Sequence, residues 1–213
     1  THDGGGGIFN NGGRLDVRNS TIHQNHADNA NGSGGGIFDL GGVTTITNST
    51  ISGNTATGIG GGIENQGDLY MANVTITGNV ANTDDVGLNF GGGLSNTGIA
   101  RVRNTIIAGN SSGTAAPLHN DIGGALAASA FNLIGDATTA GGLVDGVNGN
   151  IVGVMGVGTR PINSILVTVL GNNGGPTTTH ALVPGSIAID HGSDSLARDV
   201  NGIPLTYDQR GVG

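Results

Sequence analysis

Apolar and polar residues alternate with a period of two along short stretches of the chain, as in Leu15-Asp16-Val17-Arg18. This is the pattern of a strand with one buried face. No stretch keeps a 3.6-residue period for ten residues, so no long helix is predicted. The alternating stretches recur. Gly-Gly-Gly followed by an apolar residue occurs at 5–8, 34–37, 60–63 and 91–94, at offsets of 29, 26 and 31 residues. The string Asn-x-Thr-Ile-x-x-Asn follows at 19–25, 48–54 and 73–79, and returns at 104–110 with Ile106 in place of Thr.

Aligning the copies gives apolar columns. Ile8, Ile37, Ile63 and Leu94 form the first; Val17, Ile46, Met71 and Val102 the second; Ile22, Ile51, Ile76 and Ile107 the third. Leu15, Thr44, Leu69 and Ala100 form a weaker fourth. Short strands, repeats of about 29 residues and Gly-rich corners predict an all-β fold, a parallel β-helix with one coil per repeat. Coils stacked at ~4.8 Å turn each column into a continuous inward stack. The expected organisation is a single domain: four regular coils over 1–113, irregular further coils over 114–170, and a C-terminal cap with loops over 171–213. Asn132, 28 residues after Asn104, suits a fifth coil. Residues 80–90 lengthen the third interval and are expected to bulge as a loop.

Asparagine columns accompany the apolar ones: Asn19, Asn48, Asn73 and Asn104; Asn25, Asn54, Asn79 and Asn110; and Asn10, Asp39, Asn65 and Asn96. Asn tolerates left-handed backbone, and stacked amides bond to the coils above and below. These residues are read as structural ladders. The Gly runs are read as sharp corners. A phosphate-cradling loop would need a strand-to-helix context, and its Walker form needs a Lys, which this chain lacks.

Composition narrows the function classes. Gly is 44 of 213 residues, without the every-third-residue spacing of collagen. The absence of Cys excludes disulfides and Cys-ligated zinc. A net charge of −8, with seven Arg and no Lys, argues against nucleic acid as a partner. No apolar run reaches the ~20 residues of a membrane helix. Low charge and richness in Asn, Thr and Gly suggest a secreted or cell-surface location.

The repeats, with Phe131-Asn132-Leu133-Ile134-Gly135-Asp136, Asn173-Gly174-Gly175-Pro176-Thr177, Thr179-His180-Ala181-Leu182, Pro184-Gly185-Ser186-Ile187-Ala188-Ile189-Asp190 and Asp208-Gln209-Arg210-Gly211, resemble bacterial choice-of-anchor Q proteins. These are often coupled to a CSLREA segment and are related to polymorphic outer-membrane-protein repeats. The resemblance spans essentially the whole chain. It implies a right-handed parallel β-helix, secreted or surface-exposed, usually followed by a separate anchor, with no assigned catalytic residues. The chain departs from the pattern at Ile187, where the family usually has Pro, and it ends soon after Asp-Gln-Arg-Gly.

Candidate chemistry is sparse. Arg101 and Arg103 share an outward face, while Arg18, aligned with Arg103, lies about three coils or ~14 Å away, too far for a tight pair. They are read as solvated. Asp84-Asp85, the one acidic pair, is read as a loop tip, since a glycosidase needs carboxylates set across a groove. His23 and His26 lack a completing carboxylate for a metal. His180, His191, Asp190, Asp208 and Arg210 are read as a polar network tying down the C-terminal segment. Ser186 and Ser193 have no context as nucleophiles. Phe9 and Phe38 align on consecutive coils as an outward stack. No catalytic, cofactor or metal residues are assigned, and no cofactor is expected.

The resulting expectation is a non-catalytic extracellular structural or adhesive solenoid. Gly4 to Ile8 already lies inside the first coil. An uncapped edge invites strand pairing, so self-association through the solenoid ends, up to filaments, is expected. A surface or matrix glycan is a further expected partner. The alternative is a pectate-lyase-like polysaccharide-binding or polysaccharide-degrading protein.

Overall fold

A computed structural model describes residues 4–86 and 90–212. The first three residues, residues 87–89 of the loop expected at 80–90, and Gly213 lie outside the described residues. The fold is a parallel β-solenoid. Its first sheet stacks Ile8–Asn11, Ile37–Leu40, Ile63–Asn65, Leu94–Asn96 and Ile122–Gly123. A long sheet stacks Arg14–Arg18 with Thr21–His23, then Val43–Ser52, Asp68–Thr77, Ile99–Arg103 with Ile106–Ile107, Leu133–Ile134 and Ile151–Val152. A third sheet of two-residue strands joins His26–Ala27, Thr55–Ala56, Val80–Ala81 and Ser111–Ser112. Leu118–His119 closes that sheet antiparallel to Ser111–Ser112.

The register follows the repeat. Ile8 pairs with Ile37, Ile37 with Ile63, and Ile63 with Leu94. Val17 pairs with Ile46, and Ile46 with Met71. From the second coil to the fourth, all three apolar columns are fully buried. Each such side chain contributes about 1.5–3 kcal/mol. In the first coil, Ile8, Leu15 and Ile22 are only partly buried. At the other end Leu126, Ala137 and Leu143 pack against the core, and 3-10 turns at Ala137–Thr139 and Val147–Gly149 fold beside them.

The long sheet bends where the repeat places Asn. Asn19, Asn48, Asn73 and Asn104 have φ of 49°, 46°, 57° and 48°, the left-handed conformation Asn tolerates. The fifth coil shifts the register by one residue. Leu133 pairs with Ile106, which puts Phe131, at φ 56°, in the Asn104 column, and Asn132 beside Thr105. The Gly-Gly-Gly corners have a steric cause. A side chain at Gly35 would meet the carbonyl oxygens of Thr55 and Gly61.

Residues 171–212 run back along the outer face of the long sheet as a strap. It is tied to the first coil by Thr21 Oγ1 to the Thr178 carbonyl, and to the fourth by Asn104 Nδ2 to the Ser193 carbonyl. This explains why outward positions such as Thr45, Thr47 and Tyr70 are buried. Ile187 packs in a second apolar cluster, around Ala108, Leu133, Ile165 and Leu166.

Candidate functional site

The asparagine columns become hydrogen-bonded ladders with opposite polarities. In the inner ladder, Asn25 Nδ2 donates to Asn54 Oδ1, Asn54 to Asn79, and Asn79 to Asn110, each at 2.9 Å. The same oxygens accept the backbone N–H of the preceding rung at 2.9–3.1 Å. Asp121 ends the series, where its Oδ1 accepts both the N–H and the amide of Asn110. Its Oδ2 accepts the N–H of Asp136. Burial pushes the Asp121 carboxyl up to about 6 against these hydrogen bonds.

The outer ladder runs from Asn104 to Asn73 to Asn48. It does not continue into Asn19: the Asn48 amide donates to the carbonyl of Tyr207 in the strap. The corner column is discontinuous as well. Asn10 donates to Asp39 and Asn65 to Asn96, while Asp39 Oδ2 is buried without a partner among the described residues. Glu64, the chain's one Glu, is fully buried beside them. Desolvation raises its pKa, and its Oε1 accepts from Gln66.

The strap converts the outer face into clefts. One, about 420 Å³, has a floor of Asn48, Thr50, Asn73 and Thr75 and walls that include His180, Gln209 and Arg210. Gln209 is the main fastener. Its Nε2 donates to the Ser20 carbonyl, Thr21 Oγ1 and Thr177 Oγ1, and its Oε1 accepts from Thr50. His180 Nδ1 lies 2.8 Å from the Val167 carbonyl, which only accepts, so Nδ1 carries the proton. Nε2 then accepts from Ser52 Oγ at 2.8 Å. Burial lowers the His180 pKa, which keeps the ring neutral at pH 7. His180 thus fastens the strap to the second coil. The pairing with Ser52 spans 128 residues, and no local signal in the sequence points to it.

A second cleft, about 370 Å³, lies beside a tight turn of the strap and is lined by Tyr70, Arg101, Arg103, Arg198, Asp68 and Asp199 among others. Asp199 Oδ1 accepts the N–H groups of Asn201 and Ile203 and shapes the turn. The Tyr70 hydroxyl donates to the Arg198 carbonyl at 2.8 Å. Burial raises the Tyr70 pKa, so the phenol stays protonated as that donor. Arg198 is held by Nε to Ser195 O and Nη1 to Gly202 O. The Arg103 guanidinium sits 5.7 Å from the Tyr70 ring centroid, and Arg101 reaches Asp68 at 4.0 Å. The sequence reading placed Arg101 and Arg103 on one face. It missed Arg198, 95 residues downstream of Arg103.

Other candidates are dispersed. Arg18 pairs with Asp16 at 2.8 Å and approaches Asp199 at 3.8 Å. Asp85 accepts from Thr114 and Ala115 in the next coil, and these bonds lower its pKa. Asp84 accepts from Val86 N. His26 meets Thr55 Oγ1, and Arg210 pairs with Asp208. His191 meets the Ile189 carbonyl. Ser186 accepts from Ala188 N, and Ser193 Oγ meets Ser195. The Phe9 and Phe38 rings lie 5.3 Å apart. Phe38 is 2% exposed and Phe9 42%, so only Phe9 presents a face to solvent. Among the described residues no group of three or more His, Cys, Asp and Glu is placed to hold a metal ion. No helix there is long and apolar enough to cross a membrane. No protein-family model, curated protein or solved structure matches this chain.

Proposed function

We propose that this chain is a non-catalytic structural and adhesive solenoid module, secreted or displayed at a cell surface, that self-associates through its first coil. One observation carries the reading. Among the described residues the first coil supplies the terminal strand of all three sheets. There Ile8, Leu15 and Ile22 are partly exposed, whereas Ile37, Thr44 and Ile51 of the next coil are fully buried. Such an edge offers unpaired backbone groups and apolar surface together. The opposite end is different: its third sheet finishes on an antiparallel strand and its ladder on Asp121. Pairing of two such first-coil edges would close a two-fold dimer.

Sedimentation velocity and negative-stain electron microscopy across a concentration series test this. Concentration-dependent dimers that Ile22→Asp abolishes support the pair. Long fibres would support head-to-tail growth instead. A monomer at every concentration would end the self-association reading.

A second reading, binding of a polysaccharide on the strap face, is favoured by the cleft where Arg101, Arg103 and Arg198 converge. Titration of the chain with a panel of neutral and acidic oligosaccharides tests it, and no binding to any of them would remove it.

A further inference from the structure

We infer that the cleft between the long sheet and the strap turn at 197–205 binds an acidic sugar, with Arg101, Arg103 and Arg198 holding its carboxylate. The inference rests on the polysaccharide-binding reading and goes further by naming the ligand's charge and the residues that meet it.

Three of the chain's seven Arg meet in one cleft of a protein whose net charge is −8. The convergence is built rather than incidental. Arg101 and Arg103 lie two apart on one strand and so share a face. Arg198 arrives from the strap and is fixed there by two bonds of its own guanidinium and by the Tyr70 hydroxyl on its carbonyl. Arg103 lies over the Tyr70 ring, and among the described residues no carboxylate lies within ion-pair distance of it. Arg101 has one distant partner, Asp68, and both are about half exposed. Guanidinium groups with spare N–H donors, one of them anchored by its own bonds, suit a planar carboxylate, which they bind by forked hydrogen bonds.

The cleft's acceptors favour a sugar over an acidic peptide. Asp68 stands at the rim, 51% exposed, and offers carboxylate oxygens to hydroxyl donors. The floor is a paired sheet whose backbone groups are used between coils, so it has no edge on which a peptide could add as a strand. A ligand read there by side chains alone, carrying one anionic group and several hydroxyls, matches the donors and acceptors present. The volume of about 370 Å³ falls within the range of small-ligand sites.

Isothermal titration of the whole chain with a trisaccharide of galacturonic acid tests the inference. Maltotriose is the neutral comparison and hexa-aspartate the acidic-peptide comparison. The expected result is binding of the uronate trisaccharide alone, weakening with added salt. Arg103→Ala and Arg101→Ala should each reduce affinity about tenfold, with thermal unfolding little changed. Arg14→Ala, outside the cleft, should bind as the parent does. Maltotriose binding equally well, with the Arg variants unaffected, would overturn the acidic-sugar site while leaving polysaccharide binding in place. Hexa-aspartate binding as tightly would overturn the sugar assignment. No binding by any sugar would overturn both.

Discussion

The carboxylate of Asp121 accepts two hydrogen bonds from Asn110, one from its backbone N–H at 3.1 Å and one from its amide at 2.9 Å. Each earlier rung is an Asn, which accepts through Oδ1 and passes a donor onward through Nδ2. Asp accepts and donates nothing when ionised. It ends the series, and the Asp136 N–H uses its remaining oxygen.

Holding that carboxylate in the core has a pH signature. Its folded pKa of about 6 is raised above the ordinary Asp value of 3.8. The stabilisation linked to its protonation is therefore full below about pH 4 and is lost as pH rises through 6. The size is roughly 3 kcal/mol. Asp121→Asn keeps the acceptor for Asn110 but sets an amide against the Asp136 N–H. Denaturant unfolding of both proteins from pH 4 to 7.5 should show the parent losing about 3 kcal/mol relative to the variant. Parallel curves would refute the assignment.

The two Asn columns should respond differently to mutation. Asn79 is fully buried and donates to the Ile51 carbonyl, the Thr77 carbonyl and Asn110, while accepting from Asn54. Asn79→Ala leaves several buried groups unpaired and should cost about 3–5 kcal/mol. Asn19 contributes its left-handed φ of 49°, a conformation Gly adopts freely. Asn19→Gly should therefore stay within about 0.5 kcal/mol. Equal losses at both sites would be inconsistent with the ladder.

Phe9 and Phe38 look equivalent in the repeat but differ in burial, 42% against 2% exposed. Phe38→Ala should cost about 3–5 kcal/mol, and Phe9→Ala under about 1 kcal/mol. Thermal unfolding followed by far-ultraviolet circular dichroism distinguishes them.

Gln209 ties the strap to the first two coils through three hydrogen bonds and bonds Thr177 within the strap by a fourth. Gln209→Ala should raise amide exchange across 195–212 about tenfold, for a local loss near 1.4 kcal/mol. Exchange in the apolar columns should be unchanged. Loosening of the core instead would mean that the strap is part of one cooperative unit with it.

The coils were legible because each repeat carries the same local chemistry: an apolar alternation, a Gly corner and an Asn bend. Ile37, Ile46 and Ile51 follow from spacing alone. The strap was not legible, since its contacts join residues such as Ser52 and His180 across 128 positions. The burial of outward residues such as Thr45 and Tyr70 follows from the strap and has no local sequence signal. Arg198 escaped for the same reason, whereas Arg101 and Arg103 were found because they share a strand. The fifth coil was anticipated from Asn132, but its one-residue shift was not, because Phe131 gives no sequence signal for left-handed backbone.

The inner ladder also makes its middle coils interchangeable. Every rung from Asn54 to Asn110 receives the same two donors and hands on the same amide, so a coil's neighbours cannot distinguish one rung from another. Spacings of 29, 26 and 31 residues between successive corners already satisfy that joint. A duplicated or deleted coil in this stretch would leave both ends of the inner ladder chemically unaltered, while shifting the strap's coil-by-coil contacts out of step. The inner ladder alone sets no limit on the number of rungs up to Asn110, and Asp121 is where that ladder, though not the long sheet, ends.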